Sequence, residues 1–214
     1  MSAAVHKPRT SGTGVVVMVS SLGGLEPMAA VLGGLPANFP LPVLVVRHAR
    51  ATDDLDRLTR LLASRTRLPV RTGGNGRLAQ AGVTVIPPGE TARLDSSDCL
   101  LLCHTDGTAH DGDELLCSAS AKHGSATIAV ILSGTGRDGT RGVRAVKRAG
   151  GRTLAQDPST ADSHQMPASA IASGCVDFVL GADRISTALV ALVMAPGAGE
   201  FLTVATPSWA NLAD

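Results

Sequence analysis

The fold of this chain is decided by the stretch VVVMVSSLGGLEPMAAVLGG, residues 15–34. Its first five residues, Val15 to Val19, are continuously apolar, which is typical of a parallel strand covered on both faces. The residues that follow predict a helix, with Pro27 near its first turn and two glycines at its end. A strand that turns directly into a helix favours an open α/β fold.

The same alternation of strand and helix continues along the chain. Helical patterns follow four further predicted strands, at Val43 to Val46, Thr127 to Leu132, residues 151–156 and residues 177–180. Residues 70–110 differ, because short apolar runs such as VTVIPPG alternate with glycine and proline and predict an antiparallel hairpin insert. We therefore predict an α/β fold with a doubly wound, mostly parallel sheet, helices on both faces and this insert.

Composition limits the kind of protein and its partners. The 214 residues are 44% hydrophobic and 17% charged, which suits one globular domain with a sizeable core. We expect this domain over residues 14–195, between a flexible N-terminal tail (1–13) and a C-terminal tail (196–214). Lysine and arginine number 19 against 18 acidic residues, so neither nucleic acid nor an anionic membrane is an expected partner.

Location and metal content follow from two further patterns. The polar N-terminus has no hydrophobic signal core and no apolar stretch is long enough to span a membrane, so we expect a cytoplasmic protein. Cys99 and Cys103 stand near His104 and His110, but their spacing suits no common zinc site. We predict no metal and no cofactor.

Three polar residues follow predicted strands and can meet at one edge of the sheet. Ser21 follows the first strand, His48 the second and Asp138 a later one. The carboxyl edge of such a sheet is where open α/β folds bind ligands. A serine nucleophile, a histidine base and an orienting carboxylate form the triad of a serine hydrolase. Each residue alone also fits a plain cap or turn, just as Asp53, Asp54 and Asp56 fit the start of a helix.

Several short motifs resemble the catalytic domain of the chemotaxis protein-glutamate methylesterase family. The nucleophile loop matches Ser20-Ser21-Leu22-Gly23-Gly24, and the strand-ending histidine matches Val45-Val46-Arg47-His48. The most specific match is the loop Leu132-Ser133-Gly134-Thr135-Gly136-Arg137-Asp138-Gly139. Ala155-Gln156-Asp157 and Met166-Pro167 complete a resemblance that covers roughly residues 14–194.

The resemblance implies a site and a reaction. Ser21 would be the nucleophile, His48 the general base and Asp138 its orienting acid. The backbone N–H groups of Leu22 and Thr135 would form the oxyanion hole, and the cleft would include Gly23, Gly24 and Met166. The implied activity of residues 14–195 is cofactor-free hydrolysis of a carboxylate methyl ester through an acyl-enzyme.

Substrate and regulation are less specified by the resemblance. The family carries an N-terminal phospho-receiver domain, which we do not expect in this chain. Arg47 and Val19 replace residues usual in the family. These two departures leave the substrate open: it could be a chemoreceptor-like methylated protein, or a small-molecule ester or amide.

Two other functions fit parts of the sequence. Gly134-x-Gly136-x-x-Gly139 is a formal dinucleotide fingerprint, with Asp157 at a suitable distance. However, Asp138 would bring negative charge next to a pyrophosphate. A catalytically silent binding module on the same fold is the second alternative, suggested by Arg47, Arg50 and the missing glycine at position 19.

Overall fold

The computed structural model describes residues 14–48, 54–104, 111–195 and 204–210. Its strands are β1 (Val15–Ser20), β2 (Pro42–Arg47), β3 (Val70–Thr72), β4 (Gly76–Arg77), β5 (Gly82–Val85), β6 (Glu90–Leu94), β7 (Cys99–His104), β8 (Thr127–Ile131), β9 (Arg152–Gln156) and β10 (Phe178–Leu180). Its α-helices are α1 (Leu25–Gly33), α2 (Leu55–Arg65), α3 (Asp111–His123), α4 (Thr140–Arg148), α5 (Gln165–Ala172) and α6 (Ala182–Met194).

Seven of these strands form one parallel sheet in the order β10-β9-β8-β1-β2-β5-β3. β1 lies at the centre, paired with β2 on one side and β8 on the other. The chain winds outward from β1 in one direction and later returns to wind outward in the other. The boundary beside β1 is therefore the topological switch point, where α/β sheets form ligand sites.

Helices cover both faces of this sheet, as predicted. The residues of β1 are all fully buried, because alternate side chains point into two different cores. Apolar residues of α1, α2 and α6 form one core with Val16 and Met18. Those of α3, α4 and α5 form the other with Val15, Val17 and Val19. The continuous apolar run of β1 thus results from burial on both sides.

Local signals begin and end the helices close to the predicted positions. Pro27 lies in the first turn of α1, where its missing N–H costs no helical hydrogen bond. Asp54 caps α2 by accepting a hydrogen bond of 2.9 Å from the N–H of Arg57. Gly139 precedes α4 with a φ of +88°, a left-handed conformation that glycine adopts without strain.

The prediction for the hairpin insert was partly wrong. A small antiparallel sheet exists, in the order β4-β7-β6. The strand within VTVIPPG, however, is β5, which joins the main sheet parallel to β2 and β3. A short apolar run bounded by glycine and proline looks the same in either setting, because the choice of partner depends on distant strands.

The predicted tails are only partly described. Residues 1–13, 196–203 and 211–214 lie outside the described residues, as do Arg50, Asp53 and His110. Residues 204–210 contact the body of the domain, since the carbonyl of Val204 accepts a 3.0 Å hydrogen bond from Lys147 Nζ. None of the helices in the described ranges combines the length and apolar composition that crossing a membrane requires.

Candidate active site

Ser21 stands at the turn between β1 and α1. Its N–H donates to the carbonyl of Ser133 over 3.0 Å, which ties this turn to the loop after β8. Its carbonyl accepts from the N–H of Gly24 over 3.0 Å, which closes the turn before the helix. Ser21 is partly exposed, whereas the neighbouring Ser20 is completely buried. Of the two hydroxyls, only that of Ser21 can meet a substrate from solvent.

His48 stands beside Ser21 because the two residues end adjacent parallel strands. The last registered pair of β1 and β2 is Ser20 with Arg47. Ser21 and His48 directly follow these two residues in the chain. The N–H of His48 donates to the carbonyl of Ser20 over 2.9 Å, which continues the ladder beyond that pair. Since neighbouring strands lie about 4.8 Å apart, the two predicted residues are brought together.

Asp138 contacts His48 from the loop between β8 and α4. Its Oδ2 is 2.7 Å from Nε2 of His48, within hydrogen-bonding distance. The contact engages one ring nitrogen and leaves Nδ1 for another partner. The loop after β8 therefore brings the predicted carboxylate to the predicted base, although they are 90 positions apart in the chain.

The start of α3 holds the Asp138 carboxylate in place. The N–H of Gly112 donates to Oδ2 over 2.8 Å, and the N–H of Asp113 donates to Oδ1 over 2.9 Å. A helix N-terminus offers such unpaired donors and favours an anion in front of it. Gly112 has to be small, because a Cβ there would lie 2.6 Å from Oδ2 of Asp138.

Burial and charge shift the titration of both partners. Burial disfavours the charged imidazolium, but the contact and negative charge of Asp138, with Asp111 and Asp113, outweigh it and raise the pKa of His48 above 6.5. Burial likewise disfavours the Asp138 anion, yet His48 and the two N–H groups of α3 lower the pKa of that carboxyl below 3.8. The pair is thus built around an ionised carboxylate.

The backbone amides predicted as oxyanion donors have no competing acceptor. Within the described parts of the chain, neither the N–H of Leu22 nor that of Thr135 forms a hydrogen bond. The residues on either side of Thr135 are anchored: Gly134 N–H donates to the Ser163 carbonyl over 2.8 Å, and Gly136 N–H donates to Gln165 Oε1 over 3.0 Å. A fixed loop with one unused donor can stabilise a developing negative charge.

The predicted cleft residues have different surroundings. Gly23 has a φ of +72° and lines an open depression of about 410 Å³. Gly24 and Met166 are buried. Met166 therefore supports the site from the core rather than lining its opening. Gly134 lies above it, and a Cβ at Gly134 would come 2.9 Å from that of Ser21.

Two residues that hold the loops together were not predicted as part of the site. Ser133 Oγ donates to the carbonyl of Leu22 over 2.9 Å and accepts from the N–H of Ser163 over 2.9 Å. Gln156, which is 2% exposed, accepts the N–H of Ser133 at its Oε1 over 2.9 Å. Ser133 was noted only as part of the loop motif. Its structural role was not predictable, because a hydroxyl that bridges two loops produces no periodic pattern in the sequence.

Asp113 is a third missed residue, since acidic residues at a helix start are usually caps. Asp113 is 5% exposed, and its Oδ1 accepts the N–H of Gly142 over 2.7 Å. Gly142 belongs to the first turn of α4, whose N–H groups would have to bind pyrophosphate in a dinucleotide site. A buried carboxylate already occupies one of them, which argues against the dinucleotide hypothesis.

The cysteines and histidines of β7 do not assemble a metal site. His104 lies 3.7 Å from Glu90, and Cys99 and Cys103 are free thiols. The described residues contain no group of three or more His, Cys, Asp or Glu that could hold a metal ion. His110 lies outside the described residues.

Comparison with known proteins identifies the family to which the chain is related. The model of the CheB methylesterase family matches residues 16–189. The protein-glutamate methylesterase/protein-glutamine glutaminase 2 of Anaeromyxobacter dehalogenans is 39% identical over 189 residues, covering 85% of this chain and 54% of that protein. The corresponding protein of Thermotoga maritima is 34% identical over 201 residues, covering 88% of this chain and 56% of its own length. The chain thus spans about half the length of the curated relatives it matches.

A solved structure extends the similarity to three dimensions. The crystal structure of the Thermotoga maritima CheB methylesterase catalytic domain superimposes with a TM-score of 0.78 at 32% sequence identity. The match covers 84% of this chain and 98% of that domain.

Proposed function

The chain belongs to the CheB methylesterase family, and from this premise we propose that it hydrolyses carboxylate methyl esters with Ser21 as nucleophile. The observation that carries the proposal is the 2.7 Å contact between His48 Nε2 and Asp138 Oδ2 beside a partly exposed serine. An imidazole oriented by a carboxylate is the group that can activate a serine hydroxyl.

In the acylation step, the Oγ of Ser21 attacks the ester carbonyl carbon. His48 takes the hydroxyl proton at Nδ1, because Nε2 faces Asp138 and serves as the donor to that carboxylate. The carbonyl oxygen becomes negatively charged and accepts the N–H groups of Leu22 and Thr135. When the tetrahedral intermediate collapses, methoxide leaves, takes the proton from His48 and departs as methanol.

Deacylation repeats the same proton transfers with water as nucleophile. Water attacks the acyl carbon while His48 takes one of its protons. The bond from the carbonyl carbon to Ser21 Oγ breaks, the serine oxygen recovers the proton, and the carboxylic acid product ionises. Asp138 remains ionised throughout, because its lowered pKa opposes protonation and its charge stabilises the imidazolium in each transition state.

We infer that the ester belongs to a glutamate side chain of a protein. The basis is the activity for which these relatives are named, protein-glutamate methylesterase/protein-glutamine glutaminase. A glutamine amide can follow the same path with ammonia as leaving group, since both substrates give the same acyl-enzyme. A cytoplasmic location and the domain limits of residues 14–195 remain predictions from the sequence.

The test combines a serine-directed label with product release. A fluorophosphonate should label the wild-type protein at Ser21, and a peptide bearing a glutamyl methyl ester should yield methanol. Ser21→Ala should abolish the label and reduce turnover on the order of 10⁶-fold.

Ser20→Ala is the matched control, because it removes the same atom from the completely buried neighbouring side chain. Its labelling and turnover should stay at the wild-type level. Labelling mapped to Ser20, or methanol release that survives Ser21→Ala, would contradict the assignment. A silent binding module would give neither label nor turnover in any variant.

A further inference from the structure

One buried serine connects the two loops that carry the predicted oxyanion donors. Leu22 belongs to the turn after β1, and Thr135 belongs to the loop after β8. Ser133 is completely buried and lies two residues before Thr135 in the same loop. Because an oxyanion has to accept both N–H groups at once, the relative position of the two loops decides how well the pair of donors works.

Ser133 holds the nucleophile turn at two points. Its carbonyl accepts the N–H of Ser21 over 3.0 Å, and its hydroxyl donates to the carbonyl of Leu22 over 2.9 Å. The peptide group that offers the Leu22 N–H lies between these two contacts along the chain. One residue of the opposite loop therefore holds this peptide group from both sides.

The close approach of Ser133 depends on a glycine in the nucleophile turn. A Cβ at Gly23 would lie 2.9 Å from Ser133 Oγ and 2.6 Å from the Cβ of Asp162. The φ of Gly23 is +72°, a left-handed conformation that glycine adopts without strain. Glycine at this position therefore leaves the space that the Ser133 hydroxyl occupies.

The loop after β8 is anchored mainly through its backbone. The Ser133 N–H donates to Oε1 of Gln156 over 2.9 Å, and the Gly134 N–H donates to the Ser163 carbonyl over 2.8 Å. The Ser133 hydroxyl adds an acceptor for the Ser163 N–H, at 2.9 Å. Removal of the hydroxyl would keep the backbone contacts and take away the side-chain link between this loop and Leu22.

We propose that Ser133 is a positioning residue for the oxyanion hole, whose hydroxyl fixes the amide of Leu22 relative to that of Thr135. The inference rests on the proposed esterase function. Complete burial keeps the Ser133 side chain away from the substrate, so its effect is indirect. Since the two donors act on charge that develops in the transition state, a misplaced amide should lower kcat and leave KM near its wild-type value.

Ser133→Ala tests this inference. We expect kcat for a peptide bearing a glutamyl methyl ester to fall about 10- to 100-fold with KM unchanged, because the donor is displaced rather than removed. The rate of fluorophosphonate labelling should fall by a similar factor, since that reaction also places negative charge in the oxyanion hole. The acidic limb of the pH profile should stay in place, because the contact between His48 and Asp138 is retained.

Two further variants separate positioning from a general loss of stability. Ser133→Thr restores the hydroxyl and should recover most of kcat. Ser120→Ala is the matched control and should keep the wild-type kcat, because it removes the hydroxyl of another buried serine, which donates to the Cys117 carbonyl within α3. If circular dichroism shows that Ser133→Ala does not fold, Ser133→Cys, whose thiol is a weak donor, should show the loss of kcat instead.

The outcomes distinguish this inference from the proposed function. Wild-type kcat in folded Ser133→Ala, an equal loss in Ser120→Ala, a shifted pH limb, or a folded Ser133→Thr with no recovery would overturn the inference while the esterase function stands. Absence of both turnover and fluorophosphonate labelling in the wild-type protein would overturn the esterase function, and with it this inference.

Discussion

Two acid–base pairs, each with a buried carboxylate, lie at opposite edges of the parallel sheet. His48 and Asp138 meet at the carboxyl edge, beyond β2 and β8. Lys147 and Asp177 meet at the amino edge, where β9 and β10 begin. Helix α4 connects the two regions, since it starts beside Asp138 and ends with Lys147 in its last turn. We assign chemistry to only one of these two pairs.

The two pairs differ in exposure and in the hydrogen-bonding positions that remain open to a ligand. The Asp177 side chain is completely buried and accepts the N–H and the hydroxyl of Thr153 in addition to Lys147. Lys147 Nζ also donates to the Val204 carbonyl. The His48 side chain is instead 25% exposed, and Asp138 contacts only one of its two ring nitrogens. We expect such a pair to be reactive where one member keeps an open hydrogen-bonding position at a ligand-binding edge.

Among changes to these two pairs, the largest expected effect comes from removing the charge of Asp138 at the carboxyl edge. Asp138→Asn keeps the shape of the side chain, but an amide neither fixes the productive imidazole tautomer nor stabilises the imidazolium. We expect kcat/KM for methanol release to fall by about 10³- to 10⁴-fold. Urea unfolding should show that the variant still folds. Wild-type turnover in this variant would remove Asp138 from the mechanism.

The same substitution at the amino edge should act on stability instead. Asp177→Asn leaves the charge of Lys147 buried without its carboxylate, and we expect the free energy of unfolding to drop by about 3–5 kcal/mol. Turnover per folded molecule should stay at the wild-type level. Urea titration followed both by circular dichroism and by activity measures the two quantities on one sample.

A double variant keeps this prediction testable if Asp177→Asn alone does not fold. Lys147→Met with Asp177→Asn removes both charges and should recover part of the lost stability, because no uncompensated charge remains. A folded variant of either kind that has lost turnover would mean that the amino edge contributes to catalysis. The contrast between the two edges would then be wrong.

The sequence predicted those parts of the molecule that depend on local or topological signals. The apolar run before Ser21 and the glycines after it determine the turn between β1 and α1, and parallel strands bring their carboxyl ends together. The pairing of β5 with β2 depends instead on two segments distant in the chain, so its direction was not predictable from VTVI.

The support of the site was equally hidden from the sequence. Asp138 is oriented by backbone N–H groups of Gly112 and Asp113, and these lie 26 and 25 positions earlier in the chain. Every residue except proline has a backbone N–H donor, so residue type alone does not indicate which N–H groups orient Asp138. The burial of Met166 was missed for a similar reason, since an apolar residue beside a loop fits a cleft and a core equally well.

The smallest effect we predict concerns pH, and it separates activity from stability at the carboxyl edge. His48 acts as a base only when neutral, and its pKa lies above 6.5, so kcat/KM should rise with pH through that raised value. The stability contribution of a raised pKa runs in the opposite direction. It is fully present below about 6.5, the pKa of the unfolded chain, and is lost as pH rises through the folded value. Asp138 adds stability above 3.8 that is lost as pH falls through its lowered pKa.

Charge-neutralising variants around His48 test the origin of this shift. Asp111→Asn retains an acceptor for Thr91 but removes a negative charge that raises the pKa of His48, so the acidic limb of kcat/KM should move to lower pH. Asp113→Asn should move it in the same direction. Asp56→Asn, on the exposed start of α2, should leave the limb in place. If the Asp111→Asn and Asp113→Asn profiles both coincide with the wild type, Asp111 and Asp113 do not raise the pKa of His48, and Asp138 is the carboxylate that raises it.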